Sequence, residues 1–237
     1  RVSLQSSSAE YQEIESLFCD TMRGFDIVQI ERIQNKALWE VFEWQKDRMK
    51  KNNSGQNVTE RKLFHGTDSK HVDAICLDNF DWRICGTHGT SFGKGSYFAR
   101  DAKYSHRYTG QSDAKSMFVS RVLVGDFTRG SSDYLRPPSK DGEDTRFYDS
   151  CVDDVRDPSI FVVFEKHQIY PEYLLQYEEK ISNLSRGPST RRSAPCLFLI
   201  TPSSAFNYQN TAANTGGARL GRSASDFRIF SPSSPLA

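Results

Sequence analysis

The stretch LFHGTDSKHVDAICLDNFDWRICGTHGTSFGKGSYFARDAKYSHRY, residues 63–108, decides how this chain is read. It holds a His-Gly-Thr turn at 65–67, a glycine-rich run GTHGTSFGKGS at 86–96, and Tyr97 and Tyr108, eleven positions apart. No other part of the chain concentrates so many residue types suited to a flat, phosphorylated ligand.

The glycine-rich run invites a phosphate-loop reading, which its spacing excludes. A Walker loop needs four residues between its first glycine and Gly-Lys-Ser/Thr. Here Gly89 and Gly93 enclose three, and Gly95 stands where the metal-binding hydroxyl belongs. A GxGxxG dinucleotide fingerprint in a strand–turn–helix setting is also missing. Taken alone, His65 reads as a satisfied surface turn and the tyrosine pair as core packing. Together they allow two electron-rich rings to oppose each other around a planar cation, worth ~0.5–2 kcal/mol per ring. His71, His88, His106 and His167 have no partner at metal-ligand spacing, and no serine sits in a G-x-S-x-G elbow.

Outward from this stretch, Ser7 and Glu10 have capping-box spacing before a helix expected over 8–22. Phe25–Gln34 reads as a strand and Asn35–Lys51 as a helix with Leu38, Trp39, Phe42 and Met49 inward. A short strand closes at Leu63–Phe64, and Ser69–Leu77 is a short helix. Asn79–Phe92 is a long loop, Ser96–Ala99 a strand, and Asp101 caps a helix reaching Tyr108. Ser116–Phe127 is a strand broken near Gly125, and Ser159–Glu165 is a buried central strand. Pro171 interrupts, leaving Glu172–Tyr177 as an edge strand.

Charge and composition bound the function. The net charge of +1 divides into 24 Lys/Arg against 27 Asp/Glu in residues 1–177, and 7 against 3 in residues 178–237. An acidic body argues against a nucleic-acid footprint, and Lys46, Arg48, Lys50 and Lys51 read as the solvated end of a helix. Five dispersed cysteines with no CxxC pair fit reduced thiols in a cytoplasmic or nuclear setting. No apolar run reaches the length of a membrane span. The chain is expected to be a fragment: residues 1–7 a linker from an upstream module, 8–179 one catalytic domain, and 180–237 a disordered Ser/Pro/Arg-rich tail.

Four motifs in order carry a resemblance: LFHGT (63–67), FGKGSYFA (92–99), the Tyr97/Tyr108 pair, and SIFVVFE with QIYPEYLLQY (159–177). They resemble the catalytic domain of the poly(ADP-ribose) polymerases, over roughly residues 8–177. RPP (136–138) and YDSC (148–151) point to the mono-ADP-ribosylating branch whose members carry CCCH zinc fingers and WWE modules. The resemblance implies an α+β fold, a mixed β-sheet sandwich of the ADP-ribosyltransferase (toxin-like) type with peripheral helices. It implies NAD⁺ as co-substrate and no metal. His65 would bind the adenosine ribose. The backbone of Gly66, helped by the Ser105 hydroxyl, would clamp the nicotinamide amide. Tyr108 would stack on the nicotinamide ring, with Tyr97 against its other side, and the loop Asn79–Phe92 would cover the phosphates.

One departure bears on the reaction. Polymer-forming members carry a glutamate at the head of the central closing strand, and the matching position here is Ile160. Glu165, an odd offset along the same strand, would point to the other face, and Glu172 lies beyond Pro171. Loss of a general base typically lowers rates ~10²–10⁴-fold. The expectation is therefore transfer of a single ADP-ribose to proteins, the chain itself among them, with His65, Tyr97 and Ile160 as the catalytic set. The alternative is an inactive NAD-pocket pseudo-enzyme serving as a binding module of an RNA-directed antiviral protein. The 64 residues before His65 leave no room for a helical regulatory domain, so no dependence on DNA is expected, and RNA contact is expected only through modules outside the fragment.

Overall fold

The structure, a computed structural model, describes residues 1–81 and 90–180. Along the chain run β1 (Val2–Ser3), α1 (Ala9–Cys19), β2 (Phe25–Arg32), α2 (Lys36–Asn52), β3 (Glu60–Thr67) and α3 (Val72–Asp78). Then follow β4 (Ser96–Ala99), α4 (Ala102–Ser105), β5 (Lys115–Leu123), β6 (Phe127–Arg129), β7 (Ser150–Val152), β8 (Ile160–Val163) and β9 (Ile169–Glu179). The strands order as β1-β2-β9-β5-β3-β4-β8-β7-β6, antiparallel except for β6 beside β7. This is the α+β, mixed-sheet architecture expected from the sequence.

The order hides a weak seam. β3 pairs with β5 over eight residues, from Glu60↔Leu123 to Thr67↔Ser116, but with β4 only at Phe64↔Ala99. Two half-sheets, β1-β2-β9-β5-β3 and β4-β8-β7-β6, thus meet through one bridge. Apolar packing holds them together: Leu63, Phe118, Val122 and Leu174 from the first share a core with Phe98, Val152, Phe161 and Val163 from the second. On the other face of the first half-sheet, Ile14 and Phe18 of α1 pack with Met117, Val119, Leu175 and Tyr177. β5 is buried on both faces over Ser116–Ser120, where Met117, Phe118 and Val119 follow one another with no polar alternation.

Several boundaries differ from the sequence reading, for local reasons. The α1 cap is Ser8, whose Oγ accepts from the Tyr11 N–H, one residue after the expected Ser7. Glu10 is instead bonded by Arg32 and by the Tyr173 hydroxyl, each at 2.8 Å. Residues 1–7, expected as a linker, include the edge strand β1, and Arg1 bonds Asp73 at 3.0 Å. β9 is not an edge strand interrupted at Pro171; it runs unbroken between β2 and β5. Pro171 lies at a register shift, opposite Ser120, where a bulge leaves its missing N–H without a ladder partner to disappoint. Cys19, Cys76 and Cys151 are free thiols.

No described helix is long and apolar enough to cross a membrane, and the described residues contain no metal-holding cluster of His, Cys, Asp or Glu. The tail expected to be disordered, from residue 181 on, lies outside the described residues.

The Phe18 ring is fully buried, 4.8 Å from that of Tyr177. Phe18→Ala is expected to lower unfolding stability by about 3–5 kcal/mol, measured by urea denaturation. A loss below about 1 kcal/mol would mean that α1 is not coupled to the sheet.

Candidate active site

The seam creates the site. Extending the Phe64↔Ala99 register by two residues would set Gly66 opposite Tyr97, but the ladder stops first. His65, expected in a turn, lies inside β3, and its Nδ1 is 2.7 Å from the Tyr97 carbonyl oxygen. A carbonyl only accepts, so Nδ1 carries the proton and Nε2 is left as an acceptor. The ring leans on Phe80 and Phe98, with centroids 4.7 and 5.4 Å away. Burial lowers the His65 pKa from 6.5 to about 4, against the opposing pull of the Tyr97 bond, so the ring is neutral at pH 7. The residue keeps part of its surface open to solvent. A neutral imidazole with a free acceptor nitrogen suits a ribose hydroxyl.

Strand alternation sets what Gly66 offers. The Phe64 carbonyl points away from β5, since it accepts from the Ser105 hydroxyl at 3.0 Å. Two residues on, the Gly66 N–H and C=O point to the same side, into the opening past the bridge. That donor–acceptor pair matches the two edges of a carboxamide. A side chain at 66 is excluded, because a Cβ there would fall 1.9 Å from the Ser105 carbonyl oxygen. The Ser105 hydroxyl spends its proton on Phe64 and keeps lone pairs to accept an amide N–H.

The aromatic walls come from β4 and the turn after α4. Tyr108, expected on a helix, lies on the 3-10 turn His106–Tyr108. Its hydroxyl donates to that of Tyr104 at 3.3 Å, with ring centroids 5.6 Å apart. Burial, then Tyr108, raises the Tyr104 pKa, and Tyr97 adds to it, so three phenols share one neighbourhood. The Tyr97 hydroxyl accepts from the Phe92 N–H at 3.0 Å and donates to the Gly93 carbonyl at 2.9 Å. Tyr97 therefore anchors the end of the glycine-rich run as well as presenting a ring. The described glycines of that run face protein: a Cβ on Gly93 would meet the Phe164 ring at 2.5 Å, and one on Gly95 the Val163 carbonyl at 2.6 Å. They serve close packing against β8, consistent with the failed phosphate-loop spacing.

Ile160 heads β8 opposite Ala99 and shares a face with Tyr97 and Val162, away from the core that holds Phe98 and Phe161. Its N–H donates to Asp153 Oδ1 at 2.9 Å; the Ser159 N–H reaches the same oxygen, and the Ser159 hydroxyl bonds Oδ2. Burial works to raise the Asp153 pKa, but these bonds outweigh it and hold the carboxyl below its ordinary range. Glu165 is not on the strand, as had been expected: β8 ends at Val163, and Glu165 caps the following 3-10 turn and pairs with His167. Glu172 is bonded by Arg121 at 2.9 Å on β9, four strand positions from β8, roughly 19 Å at ordinary strand spacing.

Sequence reasoning missed Tyr104, although its i,i+4 spacing from Tyr108 was a usable signal. It also missed Asn79, which opens the expected covering loop. Asn79 has φ 71° and is buried, and its amide donates to the carbonyls of Lys166 and Ile169. Of that loop, residues 82–89 lie outside the described residues.

The chain is 60% identical over 201 residues to the protein mono-ADP-ribosyltransferase PARP12 of Mus musculus and 58% identical over 200 to that of Homo sapiens. Each match takes in 84% of this chain, but the chain spans only about a quarter of those relatives, 27% and 28%. The protein mono-ADP-ribosyltransferase PARP11 of Mus musculus is 49% identical over 197 residues, 74% of this chain and 60% of the relative. The poly(ADP-ribose) polymerase catalytic domain matches residues 8–179. That match runs from the cap of α1 to the last residue of β9 and takes in every described strand but β1. On that extent, the chain belongs to the poly(ADP-ribose) polymerase catalytic domain family.

Proposed function

We propose that this chain is the catalytic domain of a mono-ADP-ribosyltransferase, moving one ADP-ribose from NAD⁺ to a protein acceptor with release of nicotinamide. The observation that carries the reading is Ile160 at the head of β8, with no described carboxylate free to act as a base beside it. Asp153 is the near candidate, and its oxygens are occupied and its basicity lowered. The names of the relatives, mono-ADP-ribosyltransferases in both PARP12 and PARP11, support the same reaction class.

The residues present fit the donor. Gly66 holds the carboxamide through its N–H and C=O, Ser105 accepts from it, and Tyr108 and Tyr97 flank the ring. His65 accepts from the adenosine ribose through Nε2. NAD⁺ supplies a leaving group that departs as neutral nicotinamide, so no acid is needed there. A carboxylate of the acceptor closes the C–O bond as the C–N bond opens, and being already anionic it needs no base. A ribose hydroxyl would have to shed a proton with nothing to take it, which is why elongation stops. Gathering His65, Gly66, Tyr97, Ser105 and Tyr108 at one seam favours turnover over a pseudo-enzyme.

His65→Ala should reduce nicotinamide release from labelled NAD⁺ by about tenfold or more, a full hydrogen-bond loss in a partly dry site; an unchanged rate would remove His65 from the donor site. On a denaturing gel, labelled product should run as a discrete band, and a glycohydrolase-sensitive ladder would contradict single transfer. The depressed His65 pKa makes a pH prediction as well. The unfolded state takes up the proton near 6.5 and the folded state only near 4, so stability tied to the neutral ring is complete above 6.5 and is lost as pH falls towards 4. Titration of the His65 Cε1 proton by NMR should place its midpoint well below 6.5; a midpoint at or above 6.5 would refute the neutral assignment.

A further inference from the structure

Beside the seam lies a second recess of about 260 Å³, lined by Thr21, Asp101, Lys103, Tyr104, Arg107 and Ser159. It adjoins the site. Tyr104 is hydrogen-bonded to Tyr108, and Ser159 immediately precedes Ile160. A chain lying here would pass next to Tyr108 and the head of β8.

The charges of the recess are unequal. Asp101 is paired with Arg100, at 3.4 Å, and Arg100 also holds Asp157 at 2.7 Å. Among the described residues, Lys103 has no carboxylate partner, and Arg107 spends its cation only on the Tyr104 ring, 5.8 Å below it. The wall itself is fixed: the Lys103 N–H donates to Thr21 Oγ1 at 3.2 Å, and the Arg100 N–H to the Ser159 carbonyl at 2.9 Å. A rigid recess whose one anion is neutralised and whose two cations are not selects an anionic occupant.

We propose that this recess docks an acidic segment of the acceptor protein, with Lys103 and Arg107 setting the preference. The inference rests on the mono-transferase reading and deepens it. Because Ile160 provides no base, the nucleophile has to arrive ionised, and a cationic recess adjoining Ile160 and Tyr108 gathers carboxylates beside the site. Lys103 and Arg107 act as specificity-determining residues.

The test uses two fluorescent peptides built around one central glutamate, flanked by glutamates in one and by lysines in the other. Binding to the whole chain is read by anisotropy, and modification by gel. The acidic peptide should bind at least about fivefold more tightly, and the difference should shrink as salt rises from 50 to 500 mM, given a Debye length of ~10 Å at 0.1 M. Lys103→Glu with Arg107→Glu should invert the peptide preference, a result that loss of structure would not produce. Equal binding of the two peptides, or an acidic preference that survives the double reversal, would overturn the proposal. Nicotinamide release without peptide reads the donor site separately. Its absence in the unmutated chain would refute the transferase reading, while the anisotropy result would still decide the recess.

Discussion

The structure depends on a pairing that is allowed to fail. β3 and β4 make one bridge, at Phe64↔Ala99, and then part, with the His65 imidazole bonded to a carbonyl that ordinary ladder pairing would bring opposite Gly66. Continuing the ladder would have hidden the Gly66 backbone groups inside a sheet. Ending it leaves them outside the β3–β4 ladder, and the lost ladder bonds are replaced in part by the histidine. The half-sheets do not separate, because a shared apolar core lies across the seam. Burial holds the two halves together while the hydrogen bonding between them stays open.

From this follow the constraints on neighbouring residues. With the sheet open beside Gly66, α4 can close against it, and it does so tightly enough to exclude even a methyl group. That contact brings Ser105 to the Phe64 carbonyl and carries Tyr104 and Tyr108 with it. The ion network on the far side, Lys46–Glu60–Arg121–Glu172, ties α2 to β3, β5 and β9 and keeps Glu172 occupied there. The glutamate set aside in the sequence reading as lying beyond Pro171 thus has a structural role in a different part of the sheet.

Much of this was legible in the chain. The residues that the structure gathers at the seam were named from motif order, and both long helices and most strands from periodicity and caps. What was not legible has a common cause: a residue's neighbours across the sheet are not in its local sequence. His65 looked like a turn because Gly66 follows it, yet the glycine is there for α4. Pro171 looked like a strand break, yet a bulge against β5 absorbs it. Glu165 was excluded by strand parity, although the strand had already ended. Tyr104 and Asp153 went unnoticed because their importance lies in what they touch.

The clamp at the head of β8 has a consequence of its own. Asp153 holds the backbone of Ser159 and Ile160 by their N–H groups, and Arg100 holds the Ser159 carbonyl. None of these bonds involves the side chain at 160, which is buried on the face of β8 opposite Phe161. The position is a socket: its backbone frame is set by other residues, whatever side chain it carries. A fold built this way separates the side chain carried at that position from the bonds that hold the strand in place.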